Sequence, residues 1–76
     1  MKHSILAFDK NSEQLAFRVD IPEGHLEQLA EIMTWQDPED AIYEYDLSAE
    51  QISHLEALTG KAFNDPGYLF QLSCTA

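Results

Sequence analysis

The stretch that decides the fold is QLAFRVDIP, residues 14–22. Apolar side chains at alternate positions are separated by polar or small ones: Leu15, Phe17, Val19 and Ile21 against Gln14, Ala16, Arg18 and Asp20. An alternation of period two predicts a β-strand with one buried face. Pro22 predicts the first turn of a helix, where its missing N–H costs nothing.

Upstream of this strand, the sequence predicts a second strand over residues 3–8 and a turn made by Asp9, Lys10, Asn11 and Ser12. Short polar side chains of Asp, Asn and Ser stabilise turns by bonding to their own backbone. The first twenty-one residues are therefore expected to form a β-hairpin.

Downstream of Pro22, apolar residues recur at helical spacing and predict a stripe that faces the sheet: Leu26, Leu29, Ala30 and Met33. On the other side, Glu23, Glu27 and Glu31 follow one another at spacings of four. Like charges at this spacing each cost about 0.2–0.5 kcal/mol, and Glu31 lies toward the negative end of the helix dipole. A choice that opposes local stability indicates a functional constraint.

The middle of the chain predicts a loop over residues 34–40, broken by Pro38, and then a short strand over residues 41–46. In that strand Tyr43 and Tyr45 are expected on one side, with Ile42, Glu44 and Asp46 on the other.

The second helix has the clearest start signal. Ser48 and Gln51 form a capping box, and Leu47 is placed to pack on Ile52. Its expected buried stripe is Ile52, Leu55 and Leu58. Gly60 suits the left-handed conformation that ends a helix.

After a turn at residues 65–67, a last strand is expected where Tyr68, Phe70, Leu72 and Cys74 alternate with Leu69, Gln71 and Ser73. The order is ββα(β)αβ. We expect an α+β fold in a single domain, residues 1–76, with a small antiparallel or mixed sheet and two helices packed on one face.

Charge is the most unusual property of the chain, whose formal net charge is −10. Eleven of its fourteen acidic residues lie in residues 19–60, a segment without Lys or Arg. A protein of this charge is repelled by nucleic acid and by anionic membranes, so direct binding to either is not expected.

The remaining composition predicts a cytoplasmic protein. The longest apolar run is four residues, Ile5 to Phe8, too short to span a membrane, and the N-terminus has no secretory-signal pattern. A single cysteine, Cys74, cannot form an internal disulfide, which fits a reducing compartment.

Residues able to carry catalysis are sparse. His3, His25 and His54 are scattered without metal-ligand spacing, Cys74 has no adjacent base, and the glycines form no phosphate loop. The histidines at 25 and 54 are expected as exposed helix residues and Cys74 as a small core side chain. We expect no enzyme activity, no cofactor and no metal.

A binding surface is the remaining interpretation. Trp35, Tyr43 and Tyr45 lie within the acidic segment, and aromatic side chains among carboxylates suit a basic protein partner. The alternative is that these aromatics belong to the core. We expect at least one tyrosine in the core and Trp35 at the interface.

Several motifs together resemble a family of short acidic bacterial proteins of unassigned function. They are Phe8-Asp9-Lys10, Leu15-Ala16-Phe17-Arg18-Val19, Ile21-Pro22, Tyr45-Asp46-Leu47-Ser48, Gly60, Phe63 and Tyr68-Leu69-Phe70. Small acidic proteins of this kind are similar to the immunity proteins of contact-dependent growth inhibition and related polymorphic toxin systems. That resemblance implies a protein that binds and neutralises a cognate basic toxin domain.

A nuclease is the expected toxin, because a strongly acidic protein imitates the charge of nucleic acid. The expected contact residues are Glu23, Glu27, Glu31, Trp35, Asp37, Glu39, Asp40 and Glu44. The alternative is a small acidic adaptor or regulatory protein, possibly homodimeric, that uses the exposed side of the hairpin or an edge strand. A nucleic-acid mimic that acts on a host DNA-binding protein is a third hypothesis. Either a monomer or a weak homodimer is compatible with the sequence.

Overall fold

Four strands pair into one antiparallel sheet in the computed structural model, which describes residues 2–75. In chain order they are β1 (Lys2–Asp9), β2 (Leu15–Asp20), β3 (Tyr45–Asp46) and β4 (Tyr68–Thr75), and their spatial order is β2-β1-β4-β3. The helices are α1 (Leu26–Met33), α2 (Ala49–Thr59) and a 3₁₀ helix (Pro38–Ile42). The expected α+β class and element order are confirmed, and the sheet is antiparallel throughout these residues.

The sheet has one covered face and one open face, which the alternation of β1 separates. Ile5 and Ala7 are fully buried and belong to the same hydrophobic core as Leu29 of α1 and Leu55 of α2. Leu6 and the other even-numbered residues of β1 point to the opposite side, because successive side chains of a strand alternate. Within residues 2–75 no helix covers that side, which we call the open face.

A bulge in the hairpin changes the expected facing of Leu15. The register shifts between Ala7 and Phe8, so that Ala7 pairs with Phe17 but Phe8 pairs with Leu15. Cross-strand partners share a face, which places Leu15 on the open face at 53% exposure. The expectation that Leu15 faces the core was wrong because a bulge shifts the alternation by one residue.

The hairpin turn is held by the Asp9 side chain. One of its carboxylate oxygens accepts hydrogen bonds from the backbone N–H groups of Asn11 (2.7 Å) and Ser12 (3.0 Å). The hydrogen bond from Ser12 and then that from Asn11 lower the pKa of Asp9 from its ordinary value of 3.8.

Helix α1 begins later than expected. Gly24 has a φ of 87°, a left-handed conformation that interrupts the path of a right-handed helix. Pro22 and Glu23 therefore precede the helix, and α1 starts at Leu26. Only Glu27 and Glu31 of the expected three-glutamate ridge are helical, which corrects the position of Glu23.

Helix α1 ends on a strained residue. Thr34 has a φ of 58° and a ψ of 37°, a left-handed conformation that a β-branched side chain rarely adopts. This conformation lets the Trp35 N–H reach back to the carbonyl oxygen of Ala30 at 3.0 Å. Thr34 therefore redirects the chain so that Trp35 lies beside the helix end.

The expected strand over residues 41–46 is mostly wrong. Pro38 opens a 3₁₀ helix that includes Ala41 and Ile42, and only Tyr45–Asp46 pairs with β4. A side chain causes this difference: the Asp40 carboxylate accepts the backbone N–H groups of Gln36 (3.1 Å) and Asp37 (3.2 Å) and so stabilises a helical turn. Long-range sheet pairing then begins only after the turn.

Helix α2 matches its sequence signals. Ser48 Oγ accepts the Gln51 N–H at 3.2 Å, Gln51 Oε1 accepts the Ser48 N–H at 2.9 Å, and Gly60 follows with a φ of 72°. The expected stripe is correct, with Ile52 and Leu55 buried and Leu58 partly buried against the core, as is Leu47.

The connection from α2 to β4 depends on an acidic residue of α2. Glu56 Oε2 accepts the backbone N–H groups of Phe63 (2.7 Å) and Asn64 (3.1 Å). This carboxylate binds the chain's own backbone, so one member of the acidic segment has a structural role.

We predict that replacing Asp9 by Ala destabilises the protein in a pH-dependent way. A lowered folded-state pKa gives stability above pH 3.8 that is lost as the pH falls through the folded-state value. The difference in unfolding free energy between wild type and Asp9→Ala should be constant near neutral pH and shrink below pH 3.8. Urea unfolding over a pH series measures it. Glu13→Ala, in the same turn, is the control, and an equal pH-dependent loss there would contradict the prediction.

We predict that Thr34→Gly stabilises the fold by about 1 kcal/mol, because glycine adopts the left-handed conformation without strain. For a domain of this size, this corresponds to a rise in Tm of about 4–8 °C. Thr59→Gly is the matched control: Thr59 ends α2 inside the helix and its Oγ1 donates to the Leu55 carbonyl at 2.9 Å, so glycine there should destabilise. A lower Tm for Thr34→Gly would contradict the strain argument.

Candidate functional site

An apolar groove opens between α1 and the 3₁₀ helix, and we call it the α1 groove. Its volume is about 360 Å³. It is lined by Leu26, Glu27, Ala30, Trp35, Gln36, Asp37, Pro38 and Ala41. Three of the sequence-predicted contact residues thus meet here: Glu27, Trp35 and Asp37.

The wall formed by Trp35 is anchored to the sheet. Its indole ring lies 5.7 Å from the ring of His3 and 5.7 Å from that of Tyr45, measured between centroids. His3 is buried, and its Nε2 donates to the carbonyl oxygen of Ala41 at 2.8 Å. One side of Trp35 therefore packs on the fold and another lines the groove. Trp35 is half-buried, which combines the two roles that the sequence left as alternatives.

Tyr45, which packs against Trp35, is itself held by a hydrogen bond. Its hydroxyl donates to the carbonyl oxygen of Asp40 at 2.6 Å. Burial, and secondly the negative charge of Asp40, raises the pKa of Tyr45 from its ordinary value of 10.0, so the phenol keeps its proton at neutral pH. The nearby Trp35 Nε1–H partly opposes this rise in the pKa of Tyr45. The Trp35 Nε1–H itself has no partner with hydrogen-bond geometry in residues 2–75.

The rim of the groove carries negative charge next to apolar surface. Within residues 2–75, the carboxylates of Glu27 and Asp37 are not paired with a basic side chain. Leu26 is 51% exposed at the first turn of α1, although the stripe pattern predicted it buried. The Leu26 side chain lines the groove and does not belong to the core. Unpaired carboxylates beside exposed apolar groups suit a ligand with both cationic and apolar parts.

The other predicted contact residues are separated from this groove. Glu31 lines a different depression of about 390 Å³ between α1 and α2, together with Glu50 and His54. Glu23 lines a third depression with Lys2 and Arg18, where charges of both signs meet.

Three further members of the predicted set lie around the 3₁₀ helix. Asp40 is half-buried, and its carboxylate binds backbone N–H groups, so it holds the turn that shapes the groove. Glu39 and Glu44 are exposed and do not line the groove. The expected single acidic face is therefore divided into several surfaces.

One histidine, His25, and the cysteine differ from their expected environments. His25 is half-buried just before α1, and its Nδ1 has no hydrogen-bond partner in residues 2–75. His54 is exposed as expected, and its Nε2 lies 3.9 Å from Oε1 of Glu50. Cys74 is half-exposed and lies outside the core.

Across residues 2–75, no three or more His, Cys, Asp or Glu side chains are grouped to hold a metal ion. Within these same residues, neither α1 nor α2 is long and apolar enough to cross a membrane.

Sequence reasoning missed the floor of the groove. Ala30, Pro38 and Ala41 line it but belong to segments predicted as core stripe, loop and strand. The available signal was Pro38 followed by Glu39 and Asp40, since proline at a first helical position followed by acidic residues indicates a helix start.

Comparison with curated proteins and with solved structures gives no match for the chain. A family model described as a domain of unknown function, DUF7683, matches residues 2–73. The match agrees with the resemblance to a family of unassigned function, and it carries no link to immunity proteins. Since the match spans nearly all of the sequence, the chain belongs to the DUF7683 family.

Proposed function

We propose that this protein is an immunity protein that binds a basic bacterial toxin domain, of the nuclease type, through the α1 groove. The observation that carries the proposal is the combination of an apolar groove with unpaired carboxylates at its rim, in a segment without Lys or Arg. The resemblance of the chain to acidic immunity proteins supports the same interpretation.

The groove provides the two kinds of contact that a protein interface needs. Leu26 and Trp35 offer apolar surface for an anchoring side chain of the partner, and binding energy concentrates at such anchors. Glu27 and Asp37 offer charge that attracts a Lys- or Arg-rich surface. The net charge of −10 extends that attraction over a longer range, and steering of this kind raises association rates to about 10⁸–10⁹ M⁻¹s⁻¹.

A nuclease fits this role for an electrostatic reason. An enzyme that binds phosphate backbones presents basic residues where its substrate lies. An acidic partner competes for that surface, and it does so without a catalytic group of its own. A toxin that cuts nucleic acid inside the cell would have to be met in the cytoplasm, which is the compartment we propose.

The first test of the proposal is the DNA sequence next to the gene for this protein. The DNA beside this gene should encode a large secreted protein that ends in a basic toxin domain. Expression of that terminal domain alone should stop growth, and co-expression with this protein should restore it. An unrelated neighbour, or a neighbour whose toxicity persists on co-expression, would reject the immunity function and favour the adaptor alternative.

We predict that Glu27→Lys weakens binding to that toxin domain by about 10- to 100-fold, mainly by slowing association, because a steering charge is reversed at the groove. Glu31→Lys should have a smaller effect, since Glu31 lines the other depression. Stopped-flow or surface plasmon resonance at several salt concentrations measures both rates.

The matched control for charge reversal is Glu13→Lys. Glu13 carries the same charge but lies in the hairpin turn, at the end of β1 opposite to His3 and Trp35. Lysozyme, a basic protein of unrelated function, is the control ligand for non-specific attraction. Equal losses for Glu13→Lys and Glu27→Lys would show that net charge alone is recognised and would reject the groove as the interface.

We also predict that Leu26→Ser raises the dissociation rate of the complex by about 5- to 30-fold with little change in association, because an apolar anchor is lost. Leu69→Ser is the matched control, since Leu69 has a similar exposure of 57% but lies on the open face. A larger effect from Leu69→Ser would place the toxin interface on the sheet instead.

A further inference from the structure

The open face of the sheet carries apolar side chains that the fold leaves uncovered. Phe8 pairs with Leu69 across β1 and β4, and with Leu15 across the hairpin. Leu69 and Leu15 are both more than half exposed, and Leu6 lies in the next row along β1. These four residues form one apolar patch at one end of the open face.

Charge is distributed differently on this face than on the rest of the molecule. It includes two of the four basic residues, Lys2 and Arg18, together with the acidic residues Asp20 and Asp46, and Glu13 borders its apolar end beside Phe8 and Leu69. None of the carboxylates of α1 or of the 3₁₀ helix lies here. The open face therefore carries charges of both signs and is less acidic than the segment of residues 19–60, which lowers the repulsion between two copies that meet there.

One row across the four strands is complementary to itself. Arg18 of β2 pairs with Leu6 of β1, Leu6 pairs with Gln71 of β4, and Gln71 pairs with Asp46 of β3. A positive side chain thus lies at one edge of the row and a negative one at the other. Both are exposed, Arg18 beside Asp20 at 3.1 Å and Asp46 accepting from Gln71 Nε2 at 3.1 Å.

We propose that two copies of this chain pack open face to open face, about a two-fold axis that runs parallel to the strands between β1 and β4. This axis exchanges the two edges of the sheet and keeps each row at its height. Arg18 of one copy then faces Asp46 of the other, and the Phe8–Leu69 row stacks on the same row of the second copy. An axis perpendicular to the strands would instead place the Phe8–Leu69 row against Lys2 and Thr75.

The available area sets the strength of this dimer. The strands have 8, 6, 2 and 8 residues, and at about 3.3 Å per residue and about 4.8 Å between strands they cover about 380 Å² per copy, or about 760 Å² in total. That value is below the ~1,000 Å² that specific interfaces exceed and is typical of weak, transient ones. Association is therefore expected in the micromolar to millimolar range. This dimer leaves the α1 groove free and does not depend on the proposed function.

We expect a concentration-dependent monomer–dimer equilibrium in sedimentation equilibrium between about 1 μM and about 1 mM, where interfaces of this size associate. Leu69→Lys should weaken the dimer at least 10-fold, since it places a charge within the apolar row. Leu26→Lys is the matched control, because it adds the same charge to a leucine of similar exposure on α1 and should leave the dimer intact.

A charge exchange tests the axis itself. Arg18→Asp and Asp46→Arg should each weaken the dimer, and the double variant should restore it, because the two charges then face each other with reversed sign. If circular dichroism shows that Leu69→Lys does not fold, the variants of Arg18 and Asp46 test the dimer in its place. A protein that remains monomeric at about 1 mM would overturn the proposal. A dimer that Leu26→Lys disrupts and Leu69→Lys leaves intact would also overturn it. So would a dimer that neither Arg18→Asp nor Asp46→Arg weakens.

Discussion

Strand β1 lies between two neighbours, and its alternation divides the molecule into two sides. It pairs with β2 on one edge and along all eight of its residues with β4 on the other. Because this register is continuous, Ile5 and Ala7 are held against both helices while Leu6 and Phe8 are held away from them. A slip of one residue would exchange the two sets, so burial of the odd-numbered residues fixes which side receives α1 and α2.

The parts of the fold that local chemistry determines were predictable from the sequence. The capping box at Ser48, the glycine at 60 and the alternation in β4 each contain their own structural signal, and each is found in the structure. The errors occur where one residue changes a regular pattern: the left-handed Gly24 delays α1, and the hairpin bulge turns Leu15 outward. The 3₁₀ helix depends on hydrogen bonds that backbone N–H groups donate to the Asp40 carboxylate, which a search for periodic patterns does not detect.

The candidate site was predictable only in part, for a related reason. Acidic residues and Trp35 could be selected by composition, but their grouping depends on the chain path around Thr34 and Pro38. That path brings Glu27, Trp35 and Asp37 to one groove and sends Glu31 to another. Two carboxylates of the acidic segment, those of Asp40 and Glu56, bind the backbone of the chain itself. The carboxylates of the acidic segment thus have separate structural and surface positions.

The position of β4 in the sheet determines when the molecule can fold. Its residues are the last of the sheet to be synthesised, yet they lie between β1 and β3. The hairpin of β1 and β2 is marginal as an isolated unit, and at about 5–20 residues per second the ribosome needs several seconds to pass from that hairpin to residue 75. During that interval Ile5, Ala7 and Val19 have no completed core to enter. The acidic charge of the intervening segment disfavours association between unfinished chains during that interval, because like charges repel.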